Sequence, residues 1–346
     1  DYDIPLYLSH TVTDIRGRDR VEQVVVSAVD DSRRPVPDSG RGVFVFGGHC
    51  PSPLILRKEA IRIMKVGLVL EGGGMRGLYT VGVLDALMER AVQPDYVIGV
   101  SAGAGNGISF VAGQRGRAYR VNMQYLHDKR YISLSNFIKT RSVFGMDFIF
   151  DEIPGKYDPL NYPAFLASPM EFITGVTDVK TGRPAYFGKQ PTMEEQGRLL
   201  RASAAIPLFS PMVEFKGRPY LDGGTADPIP VRRALADGCD RVVVVLTQHR
   251  AYRKSPTGQR RLYARAFREQ PAMIGLLDHR HELYNETRRY LWKLEKEGRA
   301  FVILPDAPLG IGRFERRRRR LDEAYACGRR DVLLGWDRLE PFLRGD

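Results

Sequence analysis

Short apolar runs alternate along the chain with longer segments whose apolar residues recur at helical spacing. Runs such as "KVGLVLE", "DYVIGVS" and "RVVVVLTQ" are typical of buried strands, whereas "GLYTVGVLDALMERA" and "HRHELYNETRRYLWKLEKEGRA" have the period of amphipathic helices. "FITGVTDVKTGRPAYF" predicts two strands around a turn at Lys180–Gly182. Strands that alternate with helices indicate an α/β fold with a mostly parallel sheet covered on both faces.

The pattern changes at Met64, and we divide the chain there. Residues 1–63 are rich in turn formers and charges and show little periodicity, so they form an uncertain N-terminal extension. Lys58-Glu59 could be encoded by a ribosome-binding sequence, which suggests that Met64 is the true start and that 1–63 is a translated leader. The alternative is a disordered or regulatory extension. We expect a core domain at 64–249, and at 250–346 a mostly helical region with one further strand, packed on the core.

Composition narrows the class of protein. The 346 residues are 43% hydrophobic and 27% charged, and no apolar run approaches the length of a membrane-spanning helix. Three scattered cysteines form neither a metal spacing nor a disulfide framework, which favours a cytoplasmic location. The net charge of +12 is concentrated at 249–268 and in the arginine run 316–320. It suggests solvated helix faces or peripheral contact with an anionic membrane, and no nucleic-acid motif accompanies it.

A glycine-rich loop follows the first strand after Met64, in "EGGGMRG". Gly72, Gly74 and Gly77 have the spacing of a dinucleotide-binding loop. That fold also requires an acidic residue at the end of the second strand, but the acid nearby, Asp95, precedes that strand. The alternative is a loop whose backbone N–H groups bind the oxyanion of a reacting ester.

The second strand ends in "GVSAG", where a nucleophilic serine has the residues it needs. A serine at a sharp strand-to-helix turn exposes its hydroxyl, and Gly99 and Gly103 on either side of Ser101 avoid a collision between strand and helix. The other interpretation is a small-residue turn required for close packing. Loops after neighbouring parallel strands lie at one edge of a sheet, so the glycine loop and Ser101 can face each other.

A third turn, "LDGGTADPIP", supplies a candidate base. Asp222 ends a short strand, and Gly223 and Gly224 allow its carboxylate to approach Ser101 closely. An aspartate that merely caps the turn is the common alternative. In the catalytic interpretation Asp222 accepts the hydroxyl proton of Ser101, and Gly72, Gly73, Gly74 and Gly77 build the oxyanion loop with help from Arg76.

In this order the three blocks resemble those of bacterial patatin-like phospholipases, which are serine acyl hydrolases with a Ser-Asp dyad. "RASAAIPLFSP" resembles the block that precedes the family's aspartate, and the resemblance extends from Met64 to about Gln248. It implies a three-layer α/β/α sandwich with a C-terminal helical extension, a lipid-ester substrate, and neither cofactor nor metal. One departure is Glu71, where many members have aspartate, and we expect no loss of chemistry from it.

Two other functions remain open at this point. A Ser101-Asp222-His249 triad would suit an α/β-hydrolase, whereas His127, His279 and His281 are expected at the surface. A patatin fold could also serve as a regulatory adaptor with little activity. The aromatic-rich stretch from Tyr119 to Phe165 is expected to form helices and a cap. Within it, in "SVFGMDFIFDEIP", the residues Phe144, Met146, Phe148 and Phe150 alternate as on a strand. This segment is a candidate for an acyl-chain wall or a lid, and the alternative is that it is part of the core. Oligomeric state and the ester that is cleaved are not indicated.

Overall fold

In the computed structural model of the protein, the described residues are 64–345 together with 10–16, 23–28 and 43–45. They belong to two compact units that divide between Arg62 and Ile63. In the first unit, strands β1 (His10–Arg16), β2 (Gln23–Ala28) and β3 (Val43–Val45) form an antiparallel sheet in the order β1-β2-β3. The codons suggested as a ribosome-binding sequence belong to residues 58 and 59, which lie outside the described residues.

The second unit contains one mixed sheet. Its strands are β4 (Val66–Leu70), β5 (Tyr96–Val100), β6 (Glu171–Asp178), β7 (Pro184–Phe187), β8 (Val213–Phe215), β9 (Arg218–Asp222), β10 (Arg241–Val245) and β11 (Ala300–Ile303). The strand order is β11-β10-β4-β5-β6-β9-β8, and β7 pairs with β6. The pairs from β11 through β6 are parallel, and the pairs that involve β7, β8 and β9 are antiparallel. The prediction of a mostly parallel sheet is therefore confirmed.

Helices cover both faces of this sheet. They are α1 (Gly77–Glu89), α2 (Ala102–Val111), α3 (Arg117–Gln124), α4 (Leu134–Thr140), α5 (Tyr162–Ala167), α6 (Met193–Ala204), α7 (Val231–Ala236), α8 (Arg260–Ala266), α9 (Pro271–Lys296) and α10 (Arg318–Arg344). In β4, Leu68 and Leu70 pack with residues of α1, α2 and α10, whereas Val69 packs with residues of α7 and α9 on the opposite face. This alternation produces the predicted three-layer α/β/α sandwich.

Strand β6 sets the relative position of the two strand ends that matter for function. Val176 pairs with both β7 and β9, and Gly175 pairs with both β5 and β7. Strands β5 and β9 therefore lie end to end along the same edge of β6. Val100 pairs with Gly175, and Asp222 pairs with the next residue, Val176. Ser101, which follows β5, therefore lies next to Asp222, the last residue of β9.

The C-terminal region is continuous with the core. Strand β11 extends the sheet next to β10, and α10 crosses α1 at very short range. A Cβ on Gly82 would lie 2.0 Å from the carbonyl oxygen of Tyr325, and one on Gly328 would lie 2.1 Å from that of Tyr79. Both glycines are therefore required by the backbone contact. Within residues 64–345, no helix combines the length and hydrophobicity that a membrane crossing needs.

The aromatic segment at 142–154 does not form a strand, although four of its residues alternate as on one. Phe144 forms a single bridge with Ile132, and a π-helical segment then runs from Phe148 to Tyr157. The buried ring of Phe148 packs edge-on against Tyr125, with ring centroids 5.3 Å apart. Packing of this kind overrides a two-residue period, which is a weak local preference.

Candidate active site

Ser101 occupies a strained turn between β5 and α2. Its φ of 53° and ψ of −128° fall in a region that residues other than glycine rarely adopt and that costs about 1–3 kcal/mol. A Cβ on Gly99 would lie 2.6 Å from the backbone nitrogen of Ala104, and one on Gly103 would lie 2.5 Å from the carbonyl oxygen of Leu70. The two flanking glycines therefore permit the turn, and the side chain of Ser101 begins at the N-terminus of a helix.

A buried serine fixes the backbone of this turn. The N–H of Ser101 donates to Oγ of Ser203 at 2.9 Å, and the Ser203 hydroxyl donates to the carbonyl oxygen of Gly175 at 2.7 Å. Ser203 belongs to the "RASAAIP" segment, and the sequence predicts no role for it. The one feature that could have pointed to Ser203 is its position in a block that resembles the family.

Asp222 is buried and lies within hydrogen-bonding reach of the Ser101 hydroxyl. Its Oδ1 accepts the N–H of Gly224 at 2.8 Å, and its carbonyl oxygen accepts the hydroxyl of Thr177 at 2.8 Å. Burial raises the pKa of the Asp222 carboxyl, although the hydrogen bond from Ser101 and the charges of Arg280 and Arg313 act in the opposite direction. A carboxylate with a raised pKa is a better proton acceptor at neutral pH than a free aspartate.

Gly223 and Gly224 form the turn after Asp222. A Cβ on Gly223 would lie 2.1 Å from the carbonyl oxygen of Gly175, so this position excludes any side chain. A Cβ on Gly224 would lie 3.1 Å from Oδ1 of Asp222 itself. The turn therefore brings Asp222 against β6 and keeps one face of its carboxylate open to a backbone donor.

The glycine loop presents backbone donors beside Ser101. Among the described residues, no protein acceptor is bound by the N–H groups of Gly72, Gly73 and Gly74. The N–H of Met75, in contrast, donates to the carbonyl oxygen of Arg313 at 3.1 Å. A Cβ on Gly72 would lie 3.0 Å from that of Ser101, which places the loop against the serine. These three amides are therefore free to bind an oxyanion.

Gly77 begins α1 and packs against α2. A Cβ on Gly77 would lie 2.9 Å from Nδ2 of Asn106, and this amide donates to the Gly77 carbonyl oxygen at 3.3 Å. Gly77 thus lies behind the loop and sets its distance from the serine helix. Because its own neighbours are residues of α2, Gly77 helps to position the backbone N–H donors of the loop.

Glu71 anchors the loop from within the protein. Its buried carboxylate accepts the backbone N–H of Thr247 at 2.6 Å through Oε2 and the Tyr284 hydroxyl at 2.7 Å through Oε1. The acid therefore ties the end of β4 to the end of β10 and to α9. In the sequence, Glu71 stands out only as a departure from the family pattern, and no local pattern predicts these contacts.

Arg76 lies beside the loop, and none of the carboxylates in residues 64–345 is within ion-pair distance of it. Its Nε is buried and has no hydrogen-bond partner among the described residues, and burial lowers the pKa of its guanidinium.

Asp95, whose position argued against a dinucleotide site, accepts the N–H of Val66 at 2.8 Å. It therefore lies at the amino end of β4, on the edge opposite to the loop.

Two cavities meet at Ser101. The first, of about 270 Å³, contains the glycine loop, Asp222 and several cationic side chains. The second, of about 120 Å³, is mainly apolar and is lined by side chains that include Ile108, Phe150 and Leu200. Gly74 and Ser101 line both. The serine therefore stands between a polar, basic space and an apolar one.

Of the histidines, His127 and His279 are exposed as predicted, whereas His281 is not. His249 follows β10 but does not line either of the two cavities at Ser101. His281, which was expected at the surface, is half-buried and lines the basic cavity, so that expectation is wrong. Its position on α9, which packs over the site, explains the burial. Among the described residues, neither histidine is hydrogen-bonded to Ser101 or to Asp222.

The three-layer fold, with glycine-containing turns after β4, β5 and β9, defines an α/β/α protein of the patatin type. Comparison with known families agrees, since the profile described as patatin-like phospholipase matches residues 68–235. The chain belongs to the patatin-like phospholipase family, and this membership supports lipid-hydrolase activity in general. A second profile, described as a domain of unknown function (DUF6363), matches residues 270–344.

Individual relatives show how far the similarity extends. The uncharacterised protein YjjU of Escherichia coli is 30% identical over 272 residues, which are 77% of this chain and 75% of that protein. The lysophospholipase NTE1 of Lodderomyces elongisporus is 32% identical over 208 residues, which are 55% of this chain but only 13% of that protein. Among solved structures, VipD from Legionella pneumophila matches with 13% identity and a TM-score of 0.40, covering 97% of this chain and 72% of that one.

Proposed function

We propose that the protein hydrolyses carboxylic esters of lipids with Ser101 as nucleophile and Asp222 as base. The observation that carries the proposal is the strained turn that presents Ser101 to a buried carboxylate, beside three backbone N–H groups that donate to no acceptor in the part of the chain that the structure describes. Strain of this kind persists only where the surrounding structure enforces it, and it concentrates at functional sites.

The proposed reaction has two stages. Asp222 accepts the proton of the Ser101 hydroxyl while Oγ bonds to the acyl carbon, and the N–H groups of Gly72, Gly73 and Gly74 bind the oxyanion. The C–O bond to the alcohol then breaks, and the alcohol leaves with the proton from Asp222. Water repeats the sequence on the acyl-enzyme, which releases the fatty acid and restores Ser101.

The two cavities fit the two parts of such a substrate. The apolar cavity suits the acyl chain, and its wall includes Phe144, Met146, Ile149 and Phe150 from the aromatic segment. The basic cavity then holds the alcohol part of the ester, which leaves in the first stage. This assignment supports the acyl-wall interpretation of the segment over the alternative that it is only core.

The test is covalent labelling with a fluorescent fluorophosphonate. We expect the wild-type protein to be labelled, Ser101→Ala to be unlabelled, and Asp222→Asn, which keeps the size of the side chain, to react about 100- to 10,000-fold more slowly. Ser109→Ala, which removes a hydroxyl elsewhere on α2, is the matched control and should label normally. An unlabelled but folded wild-type protein would contradict the proposal and favour the adaptor function.

A Ser-Asp-His triad is the rival mechanism for the same activity. The half-buried position of His281 in the basic cavity makes it a second candidate beside His249. We expect His249→Ala and His281→Ala each to keep the labelling rate within a few-fold of wild type. A loss as large as that of Asp222→Asn in either variant would replace the dyad by a triad.

A further inference from the structure

Three side chains on one face of α9 reach the ends of three different strands around the site. Arg280, Tyr284 and Arg288 are spaced four residues apart, which places them in a row along the helix. Arg280 contacts the aspartate turn, formed by Gly223 and Gly224 after β9. Tyr284 contacts the residue that follows β4, and Arg288 contacts the loop after β10. Helix α9 belongs to the part of the chain that the second profile describes only as a domain of unknown function.

Arg280 satisfies a carbonyl group of the aspartate turn. Its Nε and Nη2 both donate to the carbonyl oxygen of the buried Gly224, at 3.1 and 2.6 Å. The nearby backbone offers this carbonyl little, because the N–H of Asp227 donates to Gly223 at 2.9 Å and the next residue, Pro228, has no N–H. A buried carbonyl without a partner is costly, so the bonds from Arg280 stabilise this shape of the turn.

The effect of Arg280 reaches Asp222 through a single residue. The N–H of Gly224 donates to Oδ1 of Asp222 at 2.8 Å, while the carbonyl oxygen of the same glycine accepts the bonds from Arg280. A rotation about the Gly224 backbone would take this donor away from the carboxylate, and glycine opposes such a rotation less than other residues do. The contact with α9 therefore restricts the freedom that the glycine itself allows.

Arg280 also acts on Asp222 through its charge, and a second arginine does so without holding the turn. Burial raises the pKa of the Asp222 carboxyl, and the charges of Arg280 and Arg313 oppose that rise. Arg313 precedes α10, and its side chain forms no hydrogen bond with another described residue. The two arginines thus share an electrostatic effect, whereas the bond to the aspartate turn belongs to Arg280.

Tyr284 and Arg288 hold the other two strand ends. The Tyr284 hydroxyl donates at 2.7 Å to Glu71, the anchor of the glycine loop. Arg288 is buried, and its Nη2 donates to the carbonyl oxygens of His249 and Arg250 at 2.8 and 3.0 Å. One face of a single helix therefore connects the turn of the proposed base, the loop of the proposed oxyanion donors and the segment after β10.

We propose that this face of α9 aligns the aspartate turn with the glycine loop, and that Arg280 is the positioning residue of Asp222. The inference rests on the proposed hydrolase function. It gives the C-terminal domain of unknown function a role in the reaction, since the patatin-like profile ends at residue 235 and does not include α9. In this role Arg280 orients the carboxylate that accepts the proton. Two donors on one oxygen form a planar fork, which a lysine ammonium does not reproduce.

The first experiment measures Arg280→Met, which removes the donors and the charge but keeps a long side chain. We expect fluorophosphonate to label it about 10- to 100-fold more slowly than wild type, because hydrogen bonds from charged groups have about this value. The final labelled fraction should equal that of wild type, which separates a displaced base from unfolded protein. Arg280→Lys keeps the charge and should recover part of the rate. Arg289→Met, on the exposed face of α9, is the matched control and should label normally.

Steady-state kinetics on a small neutral ester, 4-nitrophenyl butyrate, distinguish positioning from substrate binding. In Arg280→Met kcat should fall while KM stays within about twofold of wild type, because a displaced base slows the chemical step. An unchanged kcat with a raised KM would overturn the inference, since Arg280 would then act on the substrate.

Arg313→Gln separates charge from position. In this variant and in Arg280→Met the acid limb of kcat/KM should move to higher pH, since each loses a charge that favours ionised Asp222. On the plateau Arg313→Gln should lose much less activity than Arg280→Met, because its side chain is not bonded to the turn. Arg261→Gln removes the same charge from an exposed position on α8 outside the cavity and should behave as wild type. Equal plateau losses in the two cavity variants would overturn the positioning role.

Tyr284→Phe tests the contact of α9 with the glycine loop. Loss of the hydroxyl removes one bond to Glu71, so labelling should slow about 3- to 30-fold. The acid limb should stay in place, because the substitution changes no charge beside Asp222. Labelling at the wild-type rate would contradict the alignment of the loop by α9.

A further arm does not require hydrolysis. Hydrogen–deuterium exchange, read by mass spectrometry, follows the peptide at 218–230 in wild type, Arg280→Met and Arg289→Met. The amides of Gly224 and Ala226 are hydrogen-bonded in this turn, and we expect them to exchange at least about 10-fold faster in Arg280→Met alone. Slower labelling with unchanged exchange would show that Arg280 acts by charge only and would overturn the inference.

The two proposals fail in different ways. A folded wild-type protein that fluorophosphonate does not label contradicts the hydrolase, and the exchange arm then still decides whether Arg280 holds the turn. A labelled wild-type protein whose Arg280→Met variant reacts at the same rate contradicts only the role of α9.

Discussion

Asp222 must be ionised to accept a proton, and its burial sets the pH at which the carboxyl ionises. Because burial raises the pKa of its carboxyl, the wild-type kcat/KM should fall as pH is lowered, with a midpoint above the ordinary value of about 3.9 for aspartate. The measurement is the pH profile of hydrolysis of a neutral ester. A profile that stays level down to pH 4 would contradict the role of Asp222 as base.

The neighbouring arginines should move this midpoint in a defined direction. Arg313 favours the ionised form of Asp222, so Arg313→Gln should raise the pKa of Asp222 further and shift the acid limb to higher pH. The pH profile of the variant is measured on the same neutral ester, with Arg261→Gln as control. An acid limb that moves to lower pH, or not at all, would show that the two side chains are not electrostatically coupled.

The sequence indicated some residues of the site and missed others for a physical reason. Ser101 and Asp222 were identifiable because strand, glycine turn and helix follow each other locally, within a few residues of each. Ser203 and Arg313 reach the site only through tertiary packing, and no local pattern marks them.

Helix α2 offers a matched pair of glycines for testing the close approach at the serine turn. A methyl group on Gly103 would collide with the carbonyl oxygens of Leu70 and Glu71, so Gly103→Ala should destabilise the fold by about 1–3 kcal/mol. Gly105 has open space at the same point, and Gly105→Ala should be neutral or stabilise by up to about 1 kcal/mol. Urea unfolding of both variants measures the difference, and equal stabilities would contradict the close packing.

At the level of elements, prediction succeeded where burial and local pattern agree. The apolar runs of β4, β5 and β10 are buried on both faces, and the pattern of α1 and α9 matched their helical form. In the aromatic segment the local pattern misleads, since its two-residue alternation lies partly in a π-helical segment that packs on Tyr125. The end-to-end arrangement of β5 and β9 along β6 could not be predicted, because it depends on pairings between distant parts of the chain.

At the level of the whole molecule, the crossing of α1 and α10 joins the two regions that the family profiles describe separately. Gly328→Ala would place a methyl group against the Tyr79 carbonyl oxygen and should lower the melting temperature by several degrees. Gly335→Ala lies on the same helix, where the nearest atom, from Phe301, is 3.8 Å away, and it should have little effect. Thermal unfolding followed by circular dichroism compares the two, and similar melting temperatures would argue against a structural role for this crossing.

The bonds of Glu71 connect residues that are far apart in the order of synthesis. Thr247 lies 176 positions after Glu71, and Tyr284 lies 213 positions after it. At about 5–20 residues per second, a ribosome needs between about 10 and 40 s to add the second partner. During that time a nascent chain already contains Ser101, but it has neither the anchor of the glycine loop nor most of the basic cavity. The site is therefore assembled only after the residues that follow β10 and those of α9 have been synthesised.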